Sequence, residues 1–253
     1  AFVALGGKYE QATSGKSSFF AAVASTSVQR GELSDTRRAW GECAVQIGFD
    51  EARLIDLPSI RSPHHLESED RAALKYLLWG DDRPPVSRHE PAGPPAPFAP
   101  PDVIVQVLDA TSLEHHLELT LKLVKFGRPL VIALNKIDEA TARGIYVNAG
   151  VLGARLGLPV VPTAALMGHG IAELFRAAVQ AVRAAACPSA QPPSAHIGAA
   201  LAPLASFLGA PEIARAFRVP PLLLVTQIAE GDPYFLDEMR QHLFRGLAVG
   251  DEI

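Results

Sequence analysis

Short apolar runs rich in β-branched residues alternate along this 253-residue chain with longer stretches of helical periodicity. Residues 2–5, 43–47, 52–56, 103–109, 130–135 and 160–163 have strand length. Several are apolar on both faces, the pattern of a buried parallel strand. Between them, residues 16–24, 69–78, 113–126, 148–156 and 170–185 read as helices. This alternation predicts an α/β fold with a doubly wound, mostly parallel sheet that takes its ligands at the carboxyl ends of the strands.

Two stretches interrupt the rhythm. Residues 83–101 are too rich in proline for helix or strand and predict an exposed, extended loop. Such a segment suits an aromatic docking groove, but an inert insertion explains it as well. Residues 187–194 read as a linker. Beyond it, 199–208, 211–217, 221–228 and 235–247 are amphipathic and helical, with no further strand signal. The expected organisation is therefore an α/β domain over 1–186, carrying the proline-rich insertion at about 83–101, and a small all-helical domain over 187–253.

Composition narrows the class. Hydrophobic residues make up 48% of the chain, enough for a sizeable core. A net charge of -4 offers no general attraction to nucleic acid or anionic lipid. Cys43 and Cys187 form no metal-type spacing and read as reduced thiols of a cytosolic protein. No stretch reaches the ~18 apolar residues that cross a bilayer, so a membrane part would lie outside this sequence. The opening apolar run has no basic flank or cleavage pattern, which argues against a signal peptide. A start on a strand without Met is expected of a trimmed chain.

Three motifs carry chemistry. Residues 12–18, Ala-Thr-Ser-Gly-Lys-Ser-Ser, follow the first strand and open a helix, the setting of a phosphate-binding loop. There Lys16 reaches the β- and γ-oxygens and Ser17 offers a hydroxyl to magnesium. The first glycine of the pattern is replaced by Glu10, and Gly6 and Gly7 imply a loop about three residues too long. An ordinary helix start accounts for the Gly-Lys-Ser-Ser alone equally well. Asn135-Lys136-Ile137-Asp138 ends a strand, where Asp138 can accept two N–H bonds from guanine that adenine cannot supply. Asn135 can tie loops together and the Lys136 stem can cover the base; a polar helix cap is the plainer alternative. Asp56 ends another strand, suited to hold magnesium through water or to cap the next turn. With all three in chain order, capping alone becomes the less economical account.

The segment starting Asp102-Val-Ile-Val-Gln-Val-Leu-Asp-Ala-Thr-Ser, together with 130–138, 156–163 and Gly168-His-Gly-Ile-Ala-Glu-Leu, closely resembles the ferrous iron transport protein B family. Ile228-Ala-Glu-Gly-Asp looks like the Leu-Glu-Gly-Asp segment of that family's helical domain. The resemblance implies a P-loop, small-GTPase-like domain with a helical spacer, GTP or GDP as ligand and Mg2+ as cofactor. It also implies a transmembrane iron(II) permease portion in the same polypeptide and small accessory proteins of the transport system. Self-association into a homo-oligomer also belongs to this expectation, as does a place at the cytoplasmic face of the bacterial inner membrane, this chain itself being soluble.

Carried over by position, Gly15, Lys16 and Ser17, flanked by Ser14 and Ser18, match the phosphate loop. Thr36 is the best match for the switch threonine that joins Ser17 on magnesium, although the family's Gly-Val-Thr-Val is missing around it. Asp56 matches the third motif, whose glycine is Ser59 here, still able to offer a backbone N–H. Ala164 and Ala165 align with the Ser-Ala loop that contacts the base through backbone donors. Where the family has a potassium-binding asparagine stands Thr13, a poorer ligand, so K+ activation is not carried over. No residue identifies itself as the group that orients the attacking water, and the catalytic base is unassigned.

The histidines allow a bolder reading. His64 and His65, with Glu67, Glu69 and Asp70, could be taken for an iron site, but adjacent histidines do not converge easily on one metal, and a solvated loop fits better. Glu114-His115-His116 reads as helix surface or cap. The resulting expectation is a guanine-nucleotide switch regulating iron uptake, with weakened, slow hydrolysis. Its rival is a nucleotide-free G domain kept as a regulatory or scaffolding module. A ribosome- or RNA-associated GTPase would need a basic face, which the charge does not supply.

Overall fold

The computed structural model describes residues 2–6, 8–9, 12–23, 29–32, 39–47, 50–57, 68–80 and 100–247. The proline-rich stretch, apart from Pro100 and Pro101, lies outside them.

Among the described residues one seven-stranded sheet forms the centre. Its strands are β1 (Phe2–Gly6), β4 (Gln29–Glu32), β5 (Ala39–Ile47), β6 (Asp50–Asp56), β7 (Val103–Asp109), β8 (Leu130–Asn135) and β9 (Val160–Pro162), and the spatial order is β4-β5-β6-β1-β7-β8-β9. From β6 to β9 every neighbouring pair is parallel, while β5 joins β6, and β4 joins β5, antiparallel. The doubly wound, mostly parallel sheet expected from the alternation is therefore present. The short strands β2 (Lys8–Tyr9) and β3 (Ala12–Thr13) pair apart from it as a small hairpin.

Strict alternation of side chains across each strand explains the layering. Leu54, Val103, Val105, Val107, Val131 and Ala133 point to one face, where they meet Phe19 and Phe20 of α1 (Lys16–Val23) and Leu174, Phe175 and Ala178 of α6 (Ile171–Arg183). Ile55, Ile104, Leu108, Ile132 and Leu134 point to the other, beneath α2 (Ser68–Trp79) and α3 (Leu113–Val124). With β7 and β8 buried along their whole length, each aliphatic side chain contributes about 1.5–3 kcal/mol of burial. The remaining helices of this region, α4 (Ile137–Ala142) and α5 (Ala149–Leu156), follow β8; α4 had no sequence counterpart, because six residues are too few to show a period.

Helices α7 (Ala195–Leu208), α8 (Pro211–Phe217), α9 (Pro221–Ala229) and α10 (Pro233–Leu247) follow the linker. Their buried residues Leu208, Ile213, Phe217, Leu223 and Phe235 belong to the same hydrophobic cluster as the α2–α3 face of the sheet. Three polar contacts fix this junction. The indole Nε1–H of Trp79, at the end of α2, donates to the Phe217 carbonyl at 2.6 Å inside the core. On α3, Lys122 pairs with Asp232 at 3.4 Å and Lys125 with Glu230 at 3.8 Å, in the turn between α9 and α10. Burial pushes the Lys122 ammonium below its usual range, with the charge and hydrogen bond of Asp232 opposing the shift. Asp232 also accepts the Tyr234 N–H at 2.9 Å, capping α10.

One expectation changes here. His116 faces the interior at 1% exposure instead of lying on the helix surface. Its place follows from the helical spacing of Leu113, His116, Leu117 and Thr120, which turns that side of α3 toward the sheet.

Replacing Trp79 by Phe should remove the indole N–H that the Phe217 carbonyl accepts and leave a smaller ring in the core. Urea unfolding of that variant should show a loss of about 1–3 kcal/mol.

Candidate functional site

The carboxyl ends of the parallel strands bring distant residues into one row. Ala4 of β1 lies beside Asp56 of β6, and Asp109 of β7 is the register partner of Asn135 of β8. Thr163 follows β9 and returns an N–H to the Leu134 carbonyl at 2.8 Å.

The first loop reaches this row through Ser14 and Gly15. Lys8–Tyr9 pairs antiparallel with Ala12–Thr13, so these residues of the overlong loop are held in a strand pair before Gly15. Gly15 has φ +77°, and a Cβ on it would stand 2.5 Å from Asn135 Nδ2. Only glycine allows both the turn and this approach. Lys16 then opens α1, whose first internal bond is Phe19 N–H to the Gly15 carbonyl at 2.8 Å. The N–H groups of the first turn are left for an outside acceptor, and no acidic residue competes there. Ser17 and Ser18 lie in that turn, described by their backbone alone.

Asn135 joins this loop to the last one. Its Nδ2 donates to the Ser14 carbonyl at 3.1 Å, while its Oδ1 accepts the Ala165 N–H at 3.0 Å and the Thr163 hydroxyl at 3.3 Å. At 2% exposure, the side chain is sealed from water, so each partner depends on it.

Two ion pairs flank the asparagine. The Lys16 ammonium is bound to the Asp56 carboxylate, both largely buried. Lys136 reaches back to Asp109 Oδ2 at 2.8 Å, while Thr111 gives Asp109 Oδ1 its N–H at 2.8 Å and its hydroxyl at 2.7 Å. Burial raises the Asp109 carboxyl, but the Lys136 and Thr111 hydrogen bonds and the Lys136 charge outweigh it and hold the group below its ordinary value. Lys136 itself adopts the left-handed region at φ +58°, costing about 1–2 kcal/mol that its side-chain anchor helps to offset. Asp138 lies exposed in the first turn of α4, where a helix start favours a carboxylate.

Ala164 and Ala165 occupy the loop after β9. The Ala164 N–H donates to the His169 carbonyl at 3.1 Å and the Ala165 N–H to Asn135, so both are engaged within the protein. The short turn Ala165–Met167 leaves Leu166 and Met167 exposed beside them.

Thus Ser14, Gly15, Lys16, Asp56, Asn135, Lys136, Asp138, Ala164 and Ala165 fall along one edge. Thr36, Ser59, His64, His65 and Glu67 lie outside the described residues, and Glu69 and Asp70 open α2. Sequence reasoning missed Asp109, Thr111 and Thr163. An acid closing a buried strand, as Asp56 does, followed by threonine two residues on, is the signal that identifies the first pair. Among the described residues no group of three or more His, Cys, Asp or Glu could hold a metal, and no helix is long and apolar enough to cross a membrane.

Comparison with known proteins gives this geometry a context. Residues 98–178 match the family model of ferrous iron transport protein B. The Fe(2+) transporter FeoB of Escherichia coli K12 is 33% identical over 128 residues, 49% of this chain and 14% of that protein. Its counterpart from Salmonella typhimurium is 32% identical over the same length. The chain therefore spans about a seventh of the curated relatives it matches. Among solved structures, a mutant of S. thermophilus NFeoB bound to GDP is 26% identical with a TM-score of 0.73, over 99% of this chain and 87% of that one. The cytosolic domain of T. maritima FeoB in GMPPNP form, at 23% identity, shares the fold, with a TM-score of 0.76 over 94% of this chain and 84% of that one.

Two outcomes follow from the geometry. Asn135→Ala strands the Ser14 carbonyl and the Ala165 N–H and should lower stability by about 2–4 kcal/mol in urea titrations, summing two ties of about 1–2 kcal/mol each. The depressed Asp109 carboxyl contributes stability above the ordinary carboxylate pKa. That contribution should fade as pH drops from there through the lower folded value, and Asp109→Asn should flatten this acid limb in unfolding measured from pH ~7 to ~3.

Proposed function

We propose that the chain is the N-terminal GTPase-type region of a ferrous iron transport protein B, the guanine-nucleotide switch of a bacterial iron(II) transporter, a reading supported by the family match over residues 98–178. The carrying observation is Asn135, which holds the helix-opening phosphate loop against the loop after β9 while presenting Asp138 one turn further on.

In this reading the phosphates of GTP or GDP settle on the N-terminal turn of α1, and Lys16 exchanges Asp56 for the β- and γ-oxygens. Asp138 accepts the N–H pair of guanine, and the Lys136 stem covers the base. The released Asp56 carboxylate and the Ser17 hydroxyl, with Thr36, are hard oxygen donors suited to Mg2+. Bound there, Mg2+ would neutralise phosphate charge. The γ-phosphate orders the segments around Thr36 and Ser59, and its loss releases them.

Two routes carry this change to the helical domain of residues 187–253: α2, through Trp79 and Phe217, and α3, through Lys122 and Asp232. A permease portion of the same polypeptide, at the cytoplasmic face of the inner membrane, then receives the signal. Hydrolysis is slow, because the hairpin alters the loop and Ser59 stands where the turn wants glycine.

A second reading has its own support. Lys16 already satisfies its charge on Asp56, and the Ala164 and Ala165 amides are bound internally. Such a closed site suits a nucleotide-free scaffold.

Titration with fluorescent GDP and GTP analogues plus magnesium separates the two, with ATP and Lys16→Ala as controls. Guanine-selective binding, weakened at least about tenfold by Lys16→Ala, is the expected result. No binding at millimolar nucleotide leaves the scaffold in its place.

A further inference from the structure

We propose that Asp109 and Thr111 are positioning residues for guanine recognition, acting through Lys136; this deepens the guanine-nucleotide reading and rests on it. Neither belongs to the Asn135–Asp138 motif, and they sit on the neighbouring strand and the turn that follows it. The register pairs Asp109 with Asn135, so the carboxylate stands one residue from the lysine it holds.

The clamp has a fixed orientation. Thr111 presents two donors, its N–H at 2.8 Å and its hydroxyl at 2.7 Å, to the same oxygen, Oδ1. This leaves Oδ2 aimed at the Lys136 ammonium, 2.8 Å away. The carboxylate is 1% exposed on its side chain and the lysine 22%, so the pair forms a wall of the site, with little screening by water. A lysine free of this anchor has several staggered torsions to choose among. Held by Asp109, its aliphatic stem has one path along the strand end, and the left-handed Lys136 backbone that starts α4 is fixed with it. Asp138, two residues on, inherits that placement. Specificity for guanine then depends on a side chain that touches no base.

The chemistry supplies a diagnostic pattern. In Asp109→Asn the amide oxygen can still accept from Thr111, which leaves its NH2 facing the Lys136 ammonium, donor against donor. Changing Lys136→Met removes the opposing donor. The loss caused by Asp109→Asn should therefore vanish in the Lys136→Met background, an outcome a merely structural aspartate would not give.

The test uses the whole chain with a fluorescent GDP analogue and magnesium, and thermal unfolding to monitor folding. Asp109→Asn and Lys136→Met should each weaken GDP about tenfold, with the double variant no weaker than Lys136→Met alone. Thr111→Val, which keeps the charge pair but loses the hydroxyl anchor, should weaken GDP about threefold in the wild-type background and leave affinity unchanged beside Lys136→Met. This arm decides the matter if Asp109→Asn does not fold. Wild-type affinity in Asp109→Asn, or equal Thr111→Val losses in both backgrounds, would overturn the positioning role while leaving guanine binding intact. A wild-type chain that binds no guanine nucleotide would overturn both.

Discussion

The buried side-chain amide of Asn135 joins the start and the end of the α/β region. Its NH2 reaches residue 14 and its carbonyl oxygen residues 163 and 165, so two loops far apart in sequence share one hydrogen-bonding centre. A side-chain amide donates at one end and accepts at the other, which is what a carbonyl on one side and an N–H on the other require. The rest of the site is arranged around that constraint. Gly15 must lack a side chain because Asn135 occupies its space. The two lysines then stand to either side, each held by a strand-ending aspartate, Lys16 by Asp56 and Lys136 by Asp109.

Most of the fold was legible in the sequence. Asp56, Asp109 and Asn135 each close a strand on a polar residue just after aliphatic ones, and the structure ends all three strands there. What escaped was of two kinds. The edge strand β4, Gln29–Glu32, carries a polar Gln-Arg-Gly-Glu sequence, and its antiparallel pairing to β5 puts it in the sheet without any hydrophobic signal. His116 escaped because a polar residue type was read as surface, whereas the turn of α3 sets its direction.

The site was legible in part, for a related reason. Motif reasoning finds residues contiguous in sequence, so it recovers Gly15-Lys16 and Asn135–Asp138. It has no means of seeing that Asp109 and Thr111 lie across a strand pair from Lys136, since only the register of β7 and β8 creates that contact. The Ala164 and Ala165 amides illustrate the converse. Their place was legible, but the bonds they make, to His169 and Asn135, depend on how the loop closes. The continuous cluster under α2 and α3 was also out of reach. From the amphipathic helices after the linker, Phe217, Leu223 and Phe235 are buried in one cluster with Ile55 and Leu77, a packing that no sequence pattern shows.

The central claim is that one ligand occupies both loops that Asn135 joins. Hydrogen–deuterium exchange of the whole chain, with and without GDP and magnesium, addresses it residue by residue. Protection should rise together at the N-terminal turn of α1 and in the Ala164–Gly168 segment, and do so with GDP and not with ADP. Protection confined to the α1 turn, or equal with ADP, would describe a phosphate site without base recognition and contradict the account.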